Sequence, residues 1–107
     1  MVKFEPTHTL SIEYCAPCNY LNLALGLEEE FLAQWAPITK STELVPTAWG
    51  TFEVTLDGEL IFSKWALARH AKAGEISALV AKRIGPALEE YVTHGPEKFD
   101  ESGFLVH

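Results

Sequence analysis

The chain is poor in cysteine and in basic residues. It holds two cysteines, Cys15 and Cys18, among 107 residues. Two cysteines are too few for a disulfide-rich scaffold, and the hydrophobic residues, at 48% of the chain, supply a core without one. Because 8 Lys and Arg residues face 15 Asp and Glu residues, the net charge is −7, which argues against nucleic acid as the main partner.

The chain also lacks a long apolar run. No segment approaches the roughly 20 apolar residues that a membrane span needs. The first residues carry Lys3, Glu5 and Pro6, and no apolar stretch typical of a signal peptide follows them. We therefore expect a cytoplasmic protein with no membrane partner. In a reducing cytosol, two closely spaced cysteines are more often redox-active or metal-binding than structural.

Neither an internal repeat nor a linker divides the chain. Strict alternation over 9–14 predicts a strand with one buried face, formed by Leu10, Ile12 and Tyr14. The stretch over 19–35 predicts a helix whose apolar arc is interrupted by Glu28. The other predicted elements are a weaker strand over 40–45, a strand over 51–56, a return strand over 59–65 and a helix over 75–84.

Asp57-Gly58 is a strong hairpin signal, because a type I′ turn needs two residues with positive φ. The predicted order is therefore strand, helix, strand, strand, strand, helix, with the first two strands parallel across a right-handed crossover. This β-α-β-β-β-α order predicts an α/β chain of α+β type. Its four-stranded mixed sheet with helices packed on it is a thioredoxin-like architecture. We expect one domain over residues 1–93 and a flexible tail over 94–107.

Cys15-Ala16-Pro17-Cys18 lies where the first predicted strand gives way to the first predicted helix. We expect the two sulfurs within bonding distance on the first turn of that helix, where the positive end of the dipole stabilises a thiolate. A disulfide that closes so small a loop adds little stability, so opening and closing in thiol–disulfide exchange is its more plausible use.

Two other interpretations of the cysteine pair stay open. Half of a zinc site is one, although the chain has no second cysteine pair and no His-x₃₋₅-His spacing. Inert packing of two small side chains is the other. No metal or other cofactor is expected. We take Cys15 and Cys18 as the candidate catalytic residues.

Candidate substrate-binding residues flank the cysteines. Tyr14 precedes the pair, and Pro17 stiffens the bend between the sulfurs. Val45 and Pro46 come shortly before a strand, much as the cis-proline loop of thioredoxins does, and there they would offer backbone groups to an incoming peptide. An ordinary trans proline in a turn is the alternative, and it is far more common.

Two pairs of residues carry weaker hypotheses. Glu13 or Glu53 could accept a proton from a thiol, but alternation points both away from the buried strand faces. Trp49 and Trp65 bracket the hairpin, and the tip at 57–58 with either of them could form the binding surface of a non-catalytic interaction module. Packing in the core or at its rim is the more common role of such tryptophans.

Three segments together resemble the selenoprotein W-type (Rdx) family, and in particular its bacterial members with cysteine in place of selenocysteine. They are Ile-Glu-Tyr-Cys-Ala-Pro-Cys-Asn-Tyr over 12–20, Gly-Thr-Phe-Glu-Val over 50–54 and Leu-Asp-Gly-Glu-Leu-Ile-Phe-Ser-Lys over 56–64. The resemblance implies a thioredoxin-like fold, a thiol-redox role and glutathione or another thiol as partner. The family's selenocysteine corresponds to Cys18, whereas thioredoxins attack with the residue that corresponds to Cys15, so the attacking cysteine stays open.

The residues and the resemblance together predict a thiol–disulfide oxidoreductase or redox carrier, linked to glutathione or thioredoxin in an antioxidant role. The alternative is an interaction module with redox-sensitive cysteines. The expected partners are thiol or disulfide proteins or glutathione. We expect the chain to be a monomer or a weak homodimer.

Overall fold

A computed structural model describes residues 4–88, so the tail expected over 94–107 lies outside the described residues. No helix in the described part is both long and apolar enough to cross a membrane. The elements in chain order are β1 (His8–Cys15), α1 (Leu21–Trp35), a 3₁₀ turn (Ala36–Ile38), β2 (Thr39–Thr47), β3 (Phe52–Leu56), β4 (Glu59–Ser63), α2 (Lys64–Leu67) and α3 (Glu75–Ile84).

The four strands form one mixed sheet in the order β2-β1-β3-β4. β1 and β2 run parallel, and the other two neighbouring pairs run antiparallel. This arrangement confirms the predicted α+β class and the thioredoxin-like architecture. Because β1 is a central strand, both of its ends lie between the ends of two neighbours.

One face of the sheet packs against α1 and α3 to form the core. Leu10 and Ile12 of β1 have no exposed surface, as the alternation predicts, and Val54 lies between them and β4. Trp35, in the last turn of α1, is 1% exposed, and its Nε1 donates to the carbonyl oxygens of Gly85 and Pro86 at 3.2 Å. The other core side chains are Tyr14, Ala24, Phe31, Phe52, Leu56, Ile61, Phe62, Ile76 and Val80.

The apolar arc predicted for α1 is only partly buried. Ala24, Phe31 and Trp35 belong to the core, whereas Leu21 and Leu25 are more than two-fifths exposed. Glu28, which interrupts the arc in the sequence, accepts a hydrogen bond from Oγ1 of Thr42 in β2. The edge strand β2 therefore gives this carboxylate a polar partner, and the sequence pattern could not show that.

The hairpin between β3 and β4 forms at the predicted turn. Asp57 and Gly58 have φ values of 51° and 85°, both positive as the type I′ turn requires. The Asp57 carboxylate also accepts a hydrogen bond from the backbone N–H of Thr9 at 2.8 Å and contacts Nδ1 of His8 at 2.6 Å. The hairpin tip thus holds the beginning of β1, at the end of the sheet opposite Cys15.

Replacing Asp57 with alanine is expected to lower the free energy of unfolding by about 1–3 kcal/mol. Alanine removes both side-chain contacts to β1 and tolerates positive φ less well than aspartate. Asp57→Asn keeps an amide oxygen for Thr9 and should lose less than half as much. Urea unfolding of the three proteins measures the difference. Equal losses for alanine and asparagine would show that the contact with Thr9 does not stabilise the fold.

The predicted return strand over 59–65 is too long, because β4 ends at Ser63. The Ser63 hydroxyl accepts a hydrogen bond from the N–H of Ala66 at 2.9 Å and donates one to Glu53 Oε1 at 2.5 Å. The other Glu53 oxygen accepts the N–H of Trp65 at 3.2 Å. These bonds begin α2 directly after the strand and place Trp65 in the helix.

Candidate redox site at the carboxyl end of β1

A disulfide joins Cys15 and Cys18, whose Cα atoms are 5.3 Å apart. The chain reverses between them, and the N–H of Asn19 donates to the carbonyl oxygen of Ala16 at 3.1 Å. Pro17 is the second residue of this β-turn, where its fixed φ fits best. The structure therefore brings the two candidate catalytic residues together, with Pro17 between them as predicted.

The sulfurs do not lie on the first turn of α1, and that part of the prediction is wrong. Asn19 adopts a left-handed conformation, with φ of 63°, so a right-handed helix cannot extend back through it. The helix begins at Leu21, with Tyr20 as its N-cap. The cysteine turn therefore precedes α1 instead of forming its first turn.

The two sulfur-bearing residues are unequally exposed. Cys15 is 1% exposed, whereas Cys18 is exposed to solvent. The cause is the sheet order: β2 and β3 lie on either side of β1, so residues 48–51, the crossover loop, pass over the end of β1. The N–H of Cys15 donates to the carbonyl oxygen of Thr51, the last residue of this loop, at 2.8 Å. The crossover loop therefore covers Cys15 and leaves Cys18 open to solvent.

Tyr20 joins the cysteine turn to two other segments. Its ring packs edge-on against His70, with centroids 5.0 Å apart, and against Phe52 at 6.5 Å. Nζ of Lys64 lies 5.8 Å from the centre of the same ring. A Cβ placed on Gly50 of the crossover loop would lie 3.6 Å from that Nζ. Lys64 thus stands between the crossover loop and the cysteine turn, a position that no spacing in the sequence indicated.

The segment that carries His70 is held by an ion pair. Both terminal nitrogens of Arg69 donate to the Glu75 carboxylate at 2.8 Å, and the N–H of Lys72 donates to it at 2.9 Å. The hydrogen bonds from Arg69, followed by the one from Lys72, lower the pKa of Glu75 to about 2, and the same pairing raises the pKa of Arg69. This clamp fixes the loop that brings His70 to Tyr20.

Glu75→Gln is expected to destabilise the protein near neutral pH and to have little effect near pH 2. The lowered pKa means that Glu75 stabilises the fold above its ordinary pKa of 4.5, and that this contribution is lost as the pH falls towards about 2. Urea unfolding across this pH range compares the variant with the wild type. Glu29→Gln, on the exposed side of α1, should track the wild type throughout. A loss of stability in Glu75→Gln that does not depend on pH would show that the ionised Glu75 carboxylate does not stabilise the fold.

The predicted proline loop lies beside the cysteine turn in a different form. Val45 and Pro46 belong to the edge strand β2, where Pro46 pairs with Tyr14, and their peptide bond is trans, as the alternative expected. The Thr47 carbonyl faces β1, where it accepts a hydrogen bond from the N–H of Ala16 at 2.9 Å. The backbone of the preceding Pro46 therefore faces the free edge of the sheet, where the N–H that proline lacks is not needed for strand pairing.

The candidate substrate-binding residues differ in how much surface they offer. Pro17, Val45 and Pro46 are exposed close to the disulfide, and their role in binding stays a prediction. Tyr14 is 9% exposed and belongs to the core, which favours a packing role over a substrate contact.

The residues behind the weaker hypotheses occupy different places. Glu13 lies opposite Glu53 on the sheet face away from the core, and Glu53 is engaged by Ser63 and Trp65 rather than by a thiol. The tip at 57–58 lies at one end of the sheet, whereas Trp49 and Trp65 lie at the other. The composite surface expected for an interaction module is therefore not continuous.

A cavity of about 340 Å³ opens between α1 and the loop that follows α2. Leu23 and Gly26 line it from the helix, and His70 and Lys72 line it from the loop. It is large enough for a small ligand and lies beside the His70–Tyr20 contact. Within residues 4–88, no group of three or more His, Cys, Asp or Glu side chains is arranged to hold a metal ion.

Comparison with known proteins agrees with this architecture. A model of the Rdx family matches residues 9–82. The selenoprotein W-related protein from Vibrio cholerae is 23% identical, with a TM-score of 0.69 over 73% of this chain and 98% of that chain. A protein from Bordetella parapertussis is 21% identical, with a TM-score of 0.66 over 70% of this chain and 95% of that one. These two likenesses establish the fold. No curated protein matches the chain.

Proposed function

The chain belongs to the Rdx family, and from that premise we propose that it is a thiol–disulfide oxidoreductase or redox carrier that works through Cys15 and Cys18. The observation that carries the proposal is the unequal exposure of two bonded cysteines. Cys18 is open to solvent, and Cys15 is buried beneath the crossover loop. Thiol–disulfide exchange needs one accessible sulfur that attacks the partner and a second sulfur beside it that resolves the mixed disulfide.

In the reducing direction, the Cys18 thiolate attacks one sulfur of a partner disulfide. A Cys18–partner disulfide forms, and the other partner sulfur leaves as a thiolate. Cys15 then gives up its proton to solvent and attacks Cys18 Sγ, which forms the Cys15–Cys18 disulfide and releases the partner's second thiolate. The partner gains two electrons and the cysteine pair loses two.

Return to the dithiol requires an external thiol reductant, either glutathione or a dithiol protein of the thioredoxin type. Its thiolate attacks the accessible sulfur, Cys18, and expels the thiolate of Cys15. A second thiol then releases Cys18. The cavity beside His70, which both Lys72 and Glu30 line, offers room for a small thiol. We propose that this cycle runs in the cytoplasm, where such reductants are abundant.

Reaction with 2-hydroxyethyl disulfide tests the proposal. Reduced protein should convert this reagent to 2-mercaptoethanol while its own intact mass falls by two hydrogens, and peptide mapping should find the Cys15–Cys18 bond. The variant with both cysteines changed to serine should leave the reagent untouched. Wild-type protein that stays reduced, or that ends as a stable adduct without closing its own disulfide, would contradict the proposal.

A further inference from the structure

Large apolar side chains are exposed mainly at the disulfide end of the molecule. Among the described residues, Leu60 is the exception, because it lies near the hairpin at the opposite end. The other exposed ones follow the cysteine turn in the first two turns of α1, precede the crossover loop in β2, or lie in that loop and in α2: Leu21, Leu23, Leu25, Val45, Trp49, Trp65 and Leu67. Exposed apolar side chains concentrated at one end of a protein are typical of an interaction site.

Trp49 is the most unusual of these residues. It is 90% exposed at the crossover loop, which passes over Cys15. Its φ of 64° lies in the left-handed region, which glycine adopts easily and where a bulky residue is strained. Neither packing nor turn geometry favours tryptophan at this position. Strain and exposure together point to a role outside the fold itself.

Trp65 and Lys64 complete the surface. Trp65 is 81% exposed, and its backbone N–H is fixed by the Glu53 carboxylate. Lys64 is the residue before Trp65, and its side chain reaches towards Gly50, the neighbour of Trp49, and towards the ring of Tyr20. No carboxylate within the described residues pairs with Lys64, whereas Arg69 and Arg83 are both paired. We call Trp49, Trp65 and Lys64 the tryptophan surface.

We infer that the tryptophan surface docks the polypeptide that exchanges disulfides with Cys18, and that this partner carries its cysteine among apolar and acidic side chains. The inference rests on the proposed function and names its substrate class: a protein disulfide rather than a small-molecule disulfide. Tryptophan is enriched among residues that dominate binding energy at protein interfaces. A small-molecule disulfide offers little apolar surface to two exposed tryptophans, whereas the apolar side chains of a polypeptide can pack against them.

The charge of the partner follows from Lys64. Its ammonium group stands between the crossover loop and the cysteine turn, within reach of a segment that lies across both. An acidic side chain near the partner's cysteine would pair with it, and a basic one would be repelled. Docking therefore selects partners by apolar contact and by charge before the sulfurs react.

A panel of synthetic peptides tests this inference. Each five-residue peptide carries one cysteine, activated as the mixed disulfide with 5-thio-2-nitrobenzoate, whose release is followed by absorbance. The flanking residues are Glu and Leu, Lys and Leu, or Ser and Gly. Reduced wild-type protein should react about tenfold faster with the Glu–Leu peptide than with either of the others. All rates are divided by the rate with 2-hydroxyethyl disulfide.

Variants assign the selectivity to the surface. Trp49→Ser with Trp65→Ser should slow the reaction of the Glu–Leu peptide towards the rate of the Ser–Gly peptide. Lys64→Glu should reverse the preference between Glu and Lys peptides. The matched controls, at the hairpin end, are Leu60→Ser for loss of an exposed apolar side chain and Lys40→Glu for the same charge change. Both controls should behave as the wild type.

The outcomes separate the two proposals. Equal normalised rates for all peptides with the wild type would overturn the docking inference and leave the exchange function standing. Selectivity that survives in the tryptophan double variant, or that is lost equally in Leu60→Ser, would also overturn it. No reaction with any disulfide, including 2-hydroxyethyl disulfide, would overturn the proposed function itself.

Discussion

Cys15→Ser protein, which retains only Cys18, should be alkylated by iodoacetamide about two orders of magnitude faster than Cys18→Ser protein, which retains only Cys15. The reason is accessibility. Cys18 is exposed on the turn, whereas Cys15 is 1% exposed beneath the crossover loop and reacts only when that region opens. Each variant has a single thiol, so the loss of free thiol followed by mass spectrometry gives each rate without ambiguity.

Denatured protein supplies the control for this comparison. In concentrated urea the crossover loop no longer covers Cys15, so the two variants should react at the same rate. The Cys15→Ser protein should also accumulate a mixed disulfide with any exchange partner, because the resolving thiol is gone. Similar rates for the two folded variants, or faster reaction of Cys15, would contradict the assignment of Cys18 as the attacking residue.

Trp35→Ala should lower the free energy of unfolding by about 3–5 kcal/mol. The side chain is 1% exposed, and its Nε1 ties the end of α1 to the carbonyls of Gly85 and Pro86. Alanine leaves a cavity and removes both hydrogen bonds. This loss is a large share of the total stability of a small domain, about 5–15 kcal/mol. Urea unfolding measures it.

Trp49→Ala is the matched control, because the same substitution is made at an exposed tryptophan. Its unfolding free energy should stay within about 0.5 kcal/mol of the wild type. If Trp35→Ala does not fold, Trp35→Phe retains part of the ring volume but not the Nε1 donor, and should cost about 1–3 kcal/mol. A Trp35 substitution no more damaging than that of Trp49 would contradict the core described above.

Local patterns were sufficient to predict most of the elements. Alternation of apolar residues marked β1 and β3, Asp57-Gly58 marked the hairpin, and the helix over 75–84 has the predicted bounds. These features depend on side-chain period and on φ preferences of single residues. Both can be read from a few neighbouring positions.

The sheet order could not be read in this way. No local pattern states whether β3 pairs with β1 or lies beyond β2, yet this choice carries the crossover loop over Cys15. The start of α1 was missed for a related reason. Asparagine is tolerated both within a helix and in the left-handed conformation, so the sequence alone did not show that Asn19 ends the turn before the helix begins.

Side-chain contacts between distant segments could not be predicted from the sequence either. Glu28 interrupts the apolar arc of α1 in the sequence, and only the fold shows that Thr42 lies opposite it. Lys64 approaches the cysteine turn because α2 begins directly after β4. The interaction-module hypothesis failed to give a continuous surface because the hairpin tip and the tryptophans lie at opposite ends of the sheet. The two tryptophans share an end with the disulfide instead.

Thiol–disulfide exchange requires the cysteine pair to open and close under cellular conditions. Equilibration of the protein in glutathione redox buffers, followed by acid quenching, alkylation and mass spectrometry, measures this directly. We expect a reversible two-electron transition of the Cys15–Cys18 bond with a midpoint of roughly −270 to −200 mV, in the range of cytosolic thiol carriers. A disulfide that stays closed at every glutathione ratio, or a pair that never closes, would contradict it.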